Sequence, residues 1–284
     1  MKKKKLQMIS AMAIFGTLGI FVARIPMSSP AIAFCRGLVG CVCLGLFLLL
    51  TGKKLSLLDI KKNLLLLVLS GIALGFNWIL LFEAYRYTTV ATATMCYYLA
   101  PMFLLLVSPL FGEKLTGKKL LCVGIALLGM VFVSGVLEGK LPEAGELMGI
   151  ALGVGAAVLY TTVIVLNKKL GNMKAFDKTA CQLGLAAVVI LPYLLLTGDP
   201  ILPAMELSGW LSLALVCVVH TGIAYVLYFG SVKELPSQNV AIYSYLDPVL
   251  SIFLSALVLR QTVTVMDIVG AVLILGSALY SELS

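Results

Sequence analysis

The chain consists of long apolar runs separated by short polar breaks. Ten runs are long enough, or nearly so, to cross about 30 Å of hydrocarbon as helices that rise about 1.5 Å per residue. Glycine, proline and charge mark the breaks, as in Gly52-Lys53-Lys54 and Gly198-Asp199-Pro200. The pattern predicts an all-α integral membrane protein with ten transmembrane helices. The predicted spans lie roughly at 6–24, 29–51, 63–82, 88–110, 118–136, 146–167, 178–197, 207–229, 237–259 and 265–282.

Composition agrees with this pattern. Hydrophobic residues make up 61% of the chain, charged residues 12%, and the mean hydropathy is +1.08. These values lie far outside the range of soluble globular proteins. Ten spans also leave no stretch for a soluble domain, so we expect the lipid bilayer to surround the whole protein.

The placement of basic residues predicts the orientation. With the N-terminus inside, 16 of the 21 basic residues fall in inner segments and 4 in outer ones, as the positive-inside rule requires. The lysines lie in short loops between spans, so the net charge of +8 does not indicate nucleic-acid binding. The apolar run after Lys2–Lys5 is interpreted as a first span rather than a cleaved signal peptide. We expect a multi-pass protein of the cytoplasmic membrane with both termini cytoplasmic.

The sequence of the first half recurs in the second half at a constant offset of 147 residues. Tyr98-Leu99-Ala100-Pro101 corresponds to Tyr245-Leu246-Asp247-Pro248, and Gly75 corresponds to Gly222. The predicted repeats are residues 1–137 and 138–284. Five spans in each would place the second repeat upside down in the membrane relative to the first. Two inverted five-helix repeats are a common architecture of secondary transporters.

Three ionisable residues lie well inside the predicted spans, where charge is costly and usually functional. Asp247 directly precedes Pro248, which removes a backbone donor and disfavours helical geometry at Asp247. A carboxylate at such a kink is suited to binding a cationic group or taking up a proton. The alternative is a structural role, in which Asp247 pairs with Arg36 or caps a local break.

Arg36 and His220 also have two interpretations each. An unpaired guanidinium at the centre of a span costs about 2.5–3.5 kcal/mol on insertion scales, so Arg36 must meet an anion, carbonyls or water. That partner is either structural or the carboxylate or phosphate of a substrate. His220 is the only histidine of the chain. It serves either proton coupling or a hydrogen bond to a neighbouring helix.

Aromatic and amide side chains form a second group of candidates. Asn77 and Trp78 lie in the third span, and Tyr98 and Tyr245 occupy matching positions of the two repeats. Tyr225 corresponds by offset to Trp78. Several of these residues are too deep for an interfacial aromatic belt. They indicate either a polar cavity or packing between helices with internal hydrogen bonds.

The order of these residues is similar to that of a known family. Asn77-Trp78, the run from Phe82 to Ala91, Tyr98-Leu99-Ala100-Pro101 and Gly112-Glu113-Lys114-Leu115-Thr116 together resemble the EamA family of the drug/metabolite transporter superfamily. The resemblance covers both halves and implies a ten-helix bundle with a central cavity and alternating access. One position departs from it, because the second-half counterpart of Glu113 is Arg260. Any role of the pair is therefore asymmetric.

We therefore predict a secondary-active transporter that exports small polar metabolites, such as amino acids, by alternating access with proton coupling. The alternative is a broad-specificity drug or cation efflux pump of the same fold. No nucleotide-binding or hydrolase motif is found and the seven cysteines lie in apolar runs, so neither enzyme activity nor a cofactor or metal is expected. The expected partners are a small solute, the bilayer and protons. The predicted substrate-binding residues are Arg36, Asn77, Trp78, Tyr98, Tyr225 and Tyr245, and the predicted proton-coupling residues are Asp247 and His220.

Overall fold

The computed structural model has helices and no strands among the residues that it describes. These residues are 2–52, 55–107, 109, 116–133, 144–170, 173–232, 243 and 246–283. Tyr245, Glu113 and the predicted junction between the repeats at 137–138 lie outside them. The helices of the first half are α1 (Lys2–Gly16), α2 (Leu18–Val22), α3 (Ser29–Leu50), α4 (Leu57–Lys62), α5 (Leu64–Tyr87), α6 (Val90–Tyr97), α7 (Ala100–Val107) and α8 (Gly117–Val133). Those of the second half are α9 (Ala144–Lys169), α10 (Ala175–Thr197), α11 (Leu207–Ala214), a π-helix (Leu215–Ile223), α12 (Ala224–Val232), α13 (Leu246–Val258) and α14 (Val265–Leu283).

Six of the ten predicted spans are confirmed as helices long and apolar enough to cross a membrane. They are Lys2–Val22, Ser29–Leu50, Leu64–Tyr87, Ala144–Lys169, Ala175–Thr197 and Leu207–Tyr228. The other four predicted spans coincide with shorter apolar helices within the described residues. The protein is therefore a multi-pass, all-helical membrane protein.

Two predicted spans are interrupted helices rather than continuous ones. In the first span the helix breaks at Thr17, whose hydroxyl and backbone N–H both donate to the Ile14 carbonyl, at 2.7 and 3.1 Å. In the fourth span α6 ends at Tyr97 and α7 begins at Ala100. Pro101 has no N–H group to donate to the residue four positions earlier, so α6 does not continue through it and a new helix starts with proline in its first turn.

The eighth predicted span contains a π-helix that the hydrophobic pattern did not predict. Residues 215–223 lie between α11 and α12, and their backbone hydrogen bonds join residues five positions apart. π-Helical turns are rare and frequently occur at functional sites. This one contains His220 and Thr221.

The principal helix contacts join one half of the chain to the other. α5 packs against α9 and α10, α3 against α10 and the π-helix, α8 against α14, and α1 against α12 and α13. Small residues permit close approach: a Cβ atom at Gly71 would lie 2.6 Å from the Leu185 Cβ atom, and one at Gly149 would lie 2.9 Å from Thr88. This reliance on small residues is typical of helix packing in lipid.

Polar side chains are concentrated inside this bundle. Leucines such as Leu50 and Leu196, each 87% exposed, cover the outside. Arg36, Asn77 and His220 are each at most 4% exposed. An apolar exterior and a polar interior suit a protein that is solvated by lipid.

Candidate functional site

Arg36 is held by two hydroxyls and two aromatic rings. Its Nε–H donates to the Thr221 hydroxyl at 2.8 Å. The guanidinium carbon lies 4.4 Å from the centroid of the Trp78 ring and 5.7 Å from that of Phe82. The Tyr225 hydroxyl also interacts with Arg36. A planar guanidinium stacked in this way keeps its charge and its terminal N–H groups in a fixed direction.

The π-helix orients both His220 and Thr221. The Nδ1–H group of His220 donates to the Leu215 carbonyl at 3.0 Å, and the Thr221 hydroxyl donates to the Val216 carbonyl at 3.1 Å. Both carbonyls lie five residues earlier, so the wider turn provides acceptors for two adjacent side chains. Thr221 then accepts from Arg36, and His220 turns toward the first span.

His220 joins the π-helix to the break in the first span. Its Nε2 atom lies 2.8 Å from the Thr17 hydroxyl, and the Phe21 ring contacts the imidazole edge-on with 5.3 Å between centroids. The Thr17 hydroxyl has one proton and two neighbours, the Ile14 carbonyl and Nε2. When Nε2 carries no proton, the Thr17 hydroxyl donates to it. When Nε2 is protonated, it donates to the Thr17 oxygen, and the Thr17 hydroxyl then donates to the Ile14 carbonyl. The protonation state of His220 therefore determines which hydrogen bond the Thr17 hydroxyl donates at the helix break.

Asp247 lies in the first turn of α13 and accepts a 2.6 Å hydrogen bond from the Tyr98 hydroxyl. No ion pair with Arg36 is recorded, so the pairing considered from the sequence is not formed. α1 packs tightly here, because a Cβ atom at Gly16 would lie 2.8 Å from the Asp247 carbonyl oxygen. Gly16 therefore contacts the backbone of Asp247, and the next residue, Thr17, contacts His220.

Aromatic rings surround these groups. Tyr97 contacts Tyr98 and Tyr160 with centroid distances of 6.1 and 5.2 Å, and Phe15 lies 5.6 Å from Tyr225. Asp247 and these four tyrosines retain accessible surface although they lie among packed helices.

Asn77 differs from the other predicted residues. It is fully buried, and its amide Nδ2 donates to the Ala156 carbonyl at 2.6 Å. It therefore joins α5 to α9, while the neighbouring Trp78 meets Arg36. The amide oxygen of Asn77 has no recorded partner among the described residues.

Two polar clusters connect helices outside the central group. In one, Ser29 donates to the Glu83 carboxylate at 2.6 Å, and Arg86 donates to the Met27 carbonyl at 2.6 Å. In the other, Gln182 donates to both Ser70 and Asn167. The first cluster ties the C-terminal part of α5 to the start of α3, and the second ties α10 to α5 and α9.

The structure brings together most of the residues that the sequence singled out. Arg36, Trp78 and Tyr225 form one group, Thr221 connects it to His220, and Tyr98 holds Asp247. Sequence reasoning missed Thr17 and Thr221, because threonine is common in membrane helices and neither residue stands out by charge. The Pro101 and Pro248 motifs gave the signal for Tyr98 and Asp247.

The fold matches one that is already known. A crystal structure that is 20% identical in sequence superimposes with a TM-score of 0.69, covering 97% of this chain and 95% of that chain. The fold and the site together define a multi-pass helical membrane protein with charged and aromatic side chains converging between its helices. The model of the EamA-like transporter family matches residues 3–135 and again residues 147–281. The chain belongs to this family, which confirms the resemblance seen in the sequence.

Individual relatives agree with this assignment. An uncharacterized transporter of Bacillus subtilis (strain 168), YxxF, is 29% identical over 88% of this chain and 79% of its own length. An uncharacterized transporter of Archaeoglobus fulgidus is 26% identical over 94% of this chain and 91% of its own length. Protein PecM of Dickeya dadantii is 26% identical over 75% of this chain and 71% of its own length. The protein is therefore a membrane transporter and not an enzyme.

Proposed function

We propose that the protein is a secondary-active exporter of small zwitterionic metabolites, such as amino acids. The observation that carries this proposal is a buried cation and a carboxylate that do not pair with each other. Arg36 is stacked on Trp78, and Asp247 is bound by Tyr98. A buried charge without an opposite charge beside it is costly, so each site gains free energy when a substrate supplies the missing charge.

In this proposal the substrate carboxylate binds the terminal N–H groups of Arg36 and its ammonium group binds Asp247. A guanidinium is well suited to planar, bidentate recognition of a carboxylate. The rings of Tyr97, Tyr98 and Tyr160 contact the rest of the molecule and contribute to binding the ammonium group through their faces. Asn77 is left out of substrate binding, because its amide already joins two helices.

Proton coupling is assigned to Asp247 and His220. A proton on Asp247 removes the charge that holds the ammonium group, so substrate and proton compete for one carboxylate. Protonation of His220 changes its hydrogen bond with Thr17 through the exchange described above. Gly16 contacts the Asp247 backbone, and Thr17 contacts His220. The break in the first span is therefore suited to couple protonation of Asp247 with protonation of His220.

The proposed architecture is ten spans in two inverted five-helix repeats that rock against each other around this site. The helix contacts support it, because the principal contacts recur at the repeat offset. The pair α5·α9 corresponds to α12·α1, α10·α5 to α3·π-helix, and α7·α9 to α13·α1, while α3·α10 and α8·α14 correspond to themselves. The two polar clusters are then candidates for the contacts that open and close access. We place the protein in the cytoplasmic membrane with both termini inside.

Flux measurements in proteoliposomes test this function. Vesicles with an imposed pH gradient are assayed with a zwitterionic amino acid, the corresponding amine without a carboxylate and the corresponding acid without an amine. We expect flux of the zwitterion only and loss of pH-driven flux in Asp247→Asn, with counterflow weakened as well, because that variant lacks the carboxylate that binds the ammonium group. Undiminished pH-driven flux in Asp247→Asn would remove the coupling assignment, and equal flux of all three solutes would remove the substrate assignment.

The aromatic surroundings of Asp247 favour a second candidate, a broad-specificity efflux pump for drugs or organic cations. Such a pump needs the carboxylate and the rings but not the guanidinium. The same vesicles distinguish the two functions when they are assayed with an organic cation. Transport of the cation that survives Arg36→Gln supports the efflux pump, whereas dependence of all transport on Arg36 supports the zwitterion exporter.

A further inference from the structure

We propose that the hollow between α8 and α14 binds an acyl chain of an anionic phospholipid whose phosphate group lies beside Lys118. The hollow has a volume of about 240 Å³. Its lining residues do not belong to the transport site described above. They include Leu121, Cys122, Ile125, Val272, Gly276 and Tyr280.

The hollow lies beside the contact between the two helices. At one end they touch through the backbone, since a Cβ atom at Gly129 would lie 2.8 Å from the Gly270 carbonyl oxygen. At Gly276, one and a half turns further along α14, a Cβ atom would meet nothing within 4 Å. Leu121 faces the hollow together with Tyr280, so the helices are antiparallel and the hollow lies toward the start of α8.

The apolar lining of the hollow favours a hydrocarbon occupant. The surface is almost entirely apolar, and the Ser277 hydroxyl already donates to the Ile274 carbonyl at 2.9 Å. Water needs two to four polar partners in such a space and does not find them here. Leu121 and Val272 are 63% and 65% exposed, so the hollow opens on the lipid-facing surface of this membrane protein. An acyl chain restores the dispersion contacts that an unfilled gap forfeits.

The positive charge of Lys118, near the hollow at the start of α8, favours an anionic headgroup. Lys118 lies one turn before Leu121, at the end of α8 where Tyr280 also lines the hollow, and its side chain is exposed. Lys118 is at the start of α8, and in the proposed arrangement of ten spans this end of the helix lies at the membrane surface, where phosphate groups lie. A neutral lipid would fill the hollow equally well but would not carry net negative charge to Lys118.

Native mass spectrometry of the purified full chain tests the site. The protein is incubated with phosphatidylglycerol or phosphatidylcholine of identical acyl chains, and retained lipid is counted. Gly276→Phe fills the hollow, and Lys118→Gln removes the charge. Gly124→Phe is the matched control, because Gly124 is also on α8 with nothing within 4 Å of its added Cβ but does not line the hollow. Thermal unfolding of each variant verifies that it is folded.

We expect the wild type and Gly124→Phe to retain one phosphatidylglycerol and Gly276→Phe to lose it. Lys118→Gln should keep an acyl chain while its preference for phosphatidylglycerol over phosphatidylcholine falls about fivefold. Equal retention by Gly276→Phe and Gly124→Phe would overturn the site, and an unchanged preference in Lys118→Gln would overturn the headgroup assignment. A wild-type dimer that Gly276→Phe converts to a monomer would show that a second copy, not a lipid, fills the hollow.

Discussion

At the scale of single residues, the site depends on polar groups that the surrounding helices hold before any substrate arrives. Arg36 is fixed by Thr221 and by the face of Trp78, and Asp247 by Tyr98. The sequence revealed Arg36, His220 and Asp247 because charge in a membrane span is conspicuous. It did not reveal their partners, because a threonine becomes important only through what it contacts in three dimensions.

We expect Arg36→Lys to weaken binding of a zwitterionic amino acid by about tenfold, although the positive charge is kept. An ammonium group cannot stack flat on Trp78 and donate to Thr221 at the same time, so the charge loses its fixed direction. Isothermal titration calorimetry of the purified protein measures the change. Trp78→Phe keeps an aromatic face and should lose less affinity. Wild-type affinity in Arg36→Lys would argue against substrate binding by the guanidinium.

We expect Gly16→Ala to lower both thermal stability and transport. The added Cβ atom would lie 2.8 Å from the Asp247 carbonyl oxygen, so α1 and α13 must move apart beside the carboxylate. Gly45→Ala is the matched control, because nothing lies within 4 Å of its Cβ atom. In a helix this control should be neutral or stabilising by about 0.5–1 kcal/mol. Thermal unfolding and vesicle flux provide the two measurements, and equal behaviour of both variants would contradict the close contact.

At the scale of elements, the hydrophobic pattern predicted the membrane helices well and their irregularities poorly. Runs of apolar residues define where a helix crosses the membrane, and six spans follow directly from them. A run of apolar residues gives no sign of a helix break such as that at Thr17. It also gives no sign of a π-helix, whose hydrogen bonds span five residues instead of four. Pro101 gave a signal for the interruption near Tyr98, whereas the π-helix at 215–223 has no proline or glycine before His220 to mark it.

We expect deletion of Val218 to abolish transport without unfolding the protein. Removing one residue converts the π-helix to an α-helix, so the turn that holds His220 and Thr221 becomes narrower and both side chains shift relative to the preceding turn. The two side chains then lose their acceptors at Leu215 and Val216 and cannot both meet Thr17 and Arg36. Val218 is 41% exposed, so Val218→Ala is a suitable control and should transport normally. Flux in vesicles, together with thermal unfolding, checks the result, and normal flux after the deletion would show that the π-helix is dispensable.

At the scale of the whole molecule, the repeat offset predicts an architecture of two halves, and the basic residues predict an orientation in the membrane. The family model matches two consecutive segments, and helix contacts recur in pairs related by the same offset. The identity of the solute is not predictable in this way, because it depends on a few side chains whose separation only the folded bundle defines. Those side chains come from α3, α5, α6, α13 and the π-helix, which are far apart along the chain.

The proposed inverted architecture makes a topology prediction that does not depend on the substrate. If each repeat has five spans and the N-terminus is inside, the segment near Lys140 lies outside and the C-terminus returns inside. We therefore expect an alkaline phosphatase fusion after Lys140 to be active and a green fluorescent protein fusion after Ser284 to be fluorescent. Alkaline phosphatase fused after Thr51 is the control and should be inactive, because two spans return the chain to the inside. Activity of a phosphatase fused after Ser284 would mean an odd number of spans, and two oppositely oriented five-helix repeats would then be impossible.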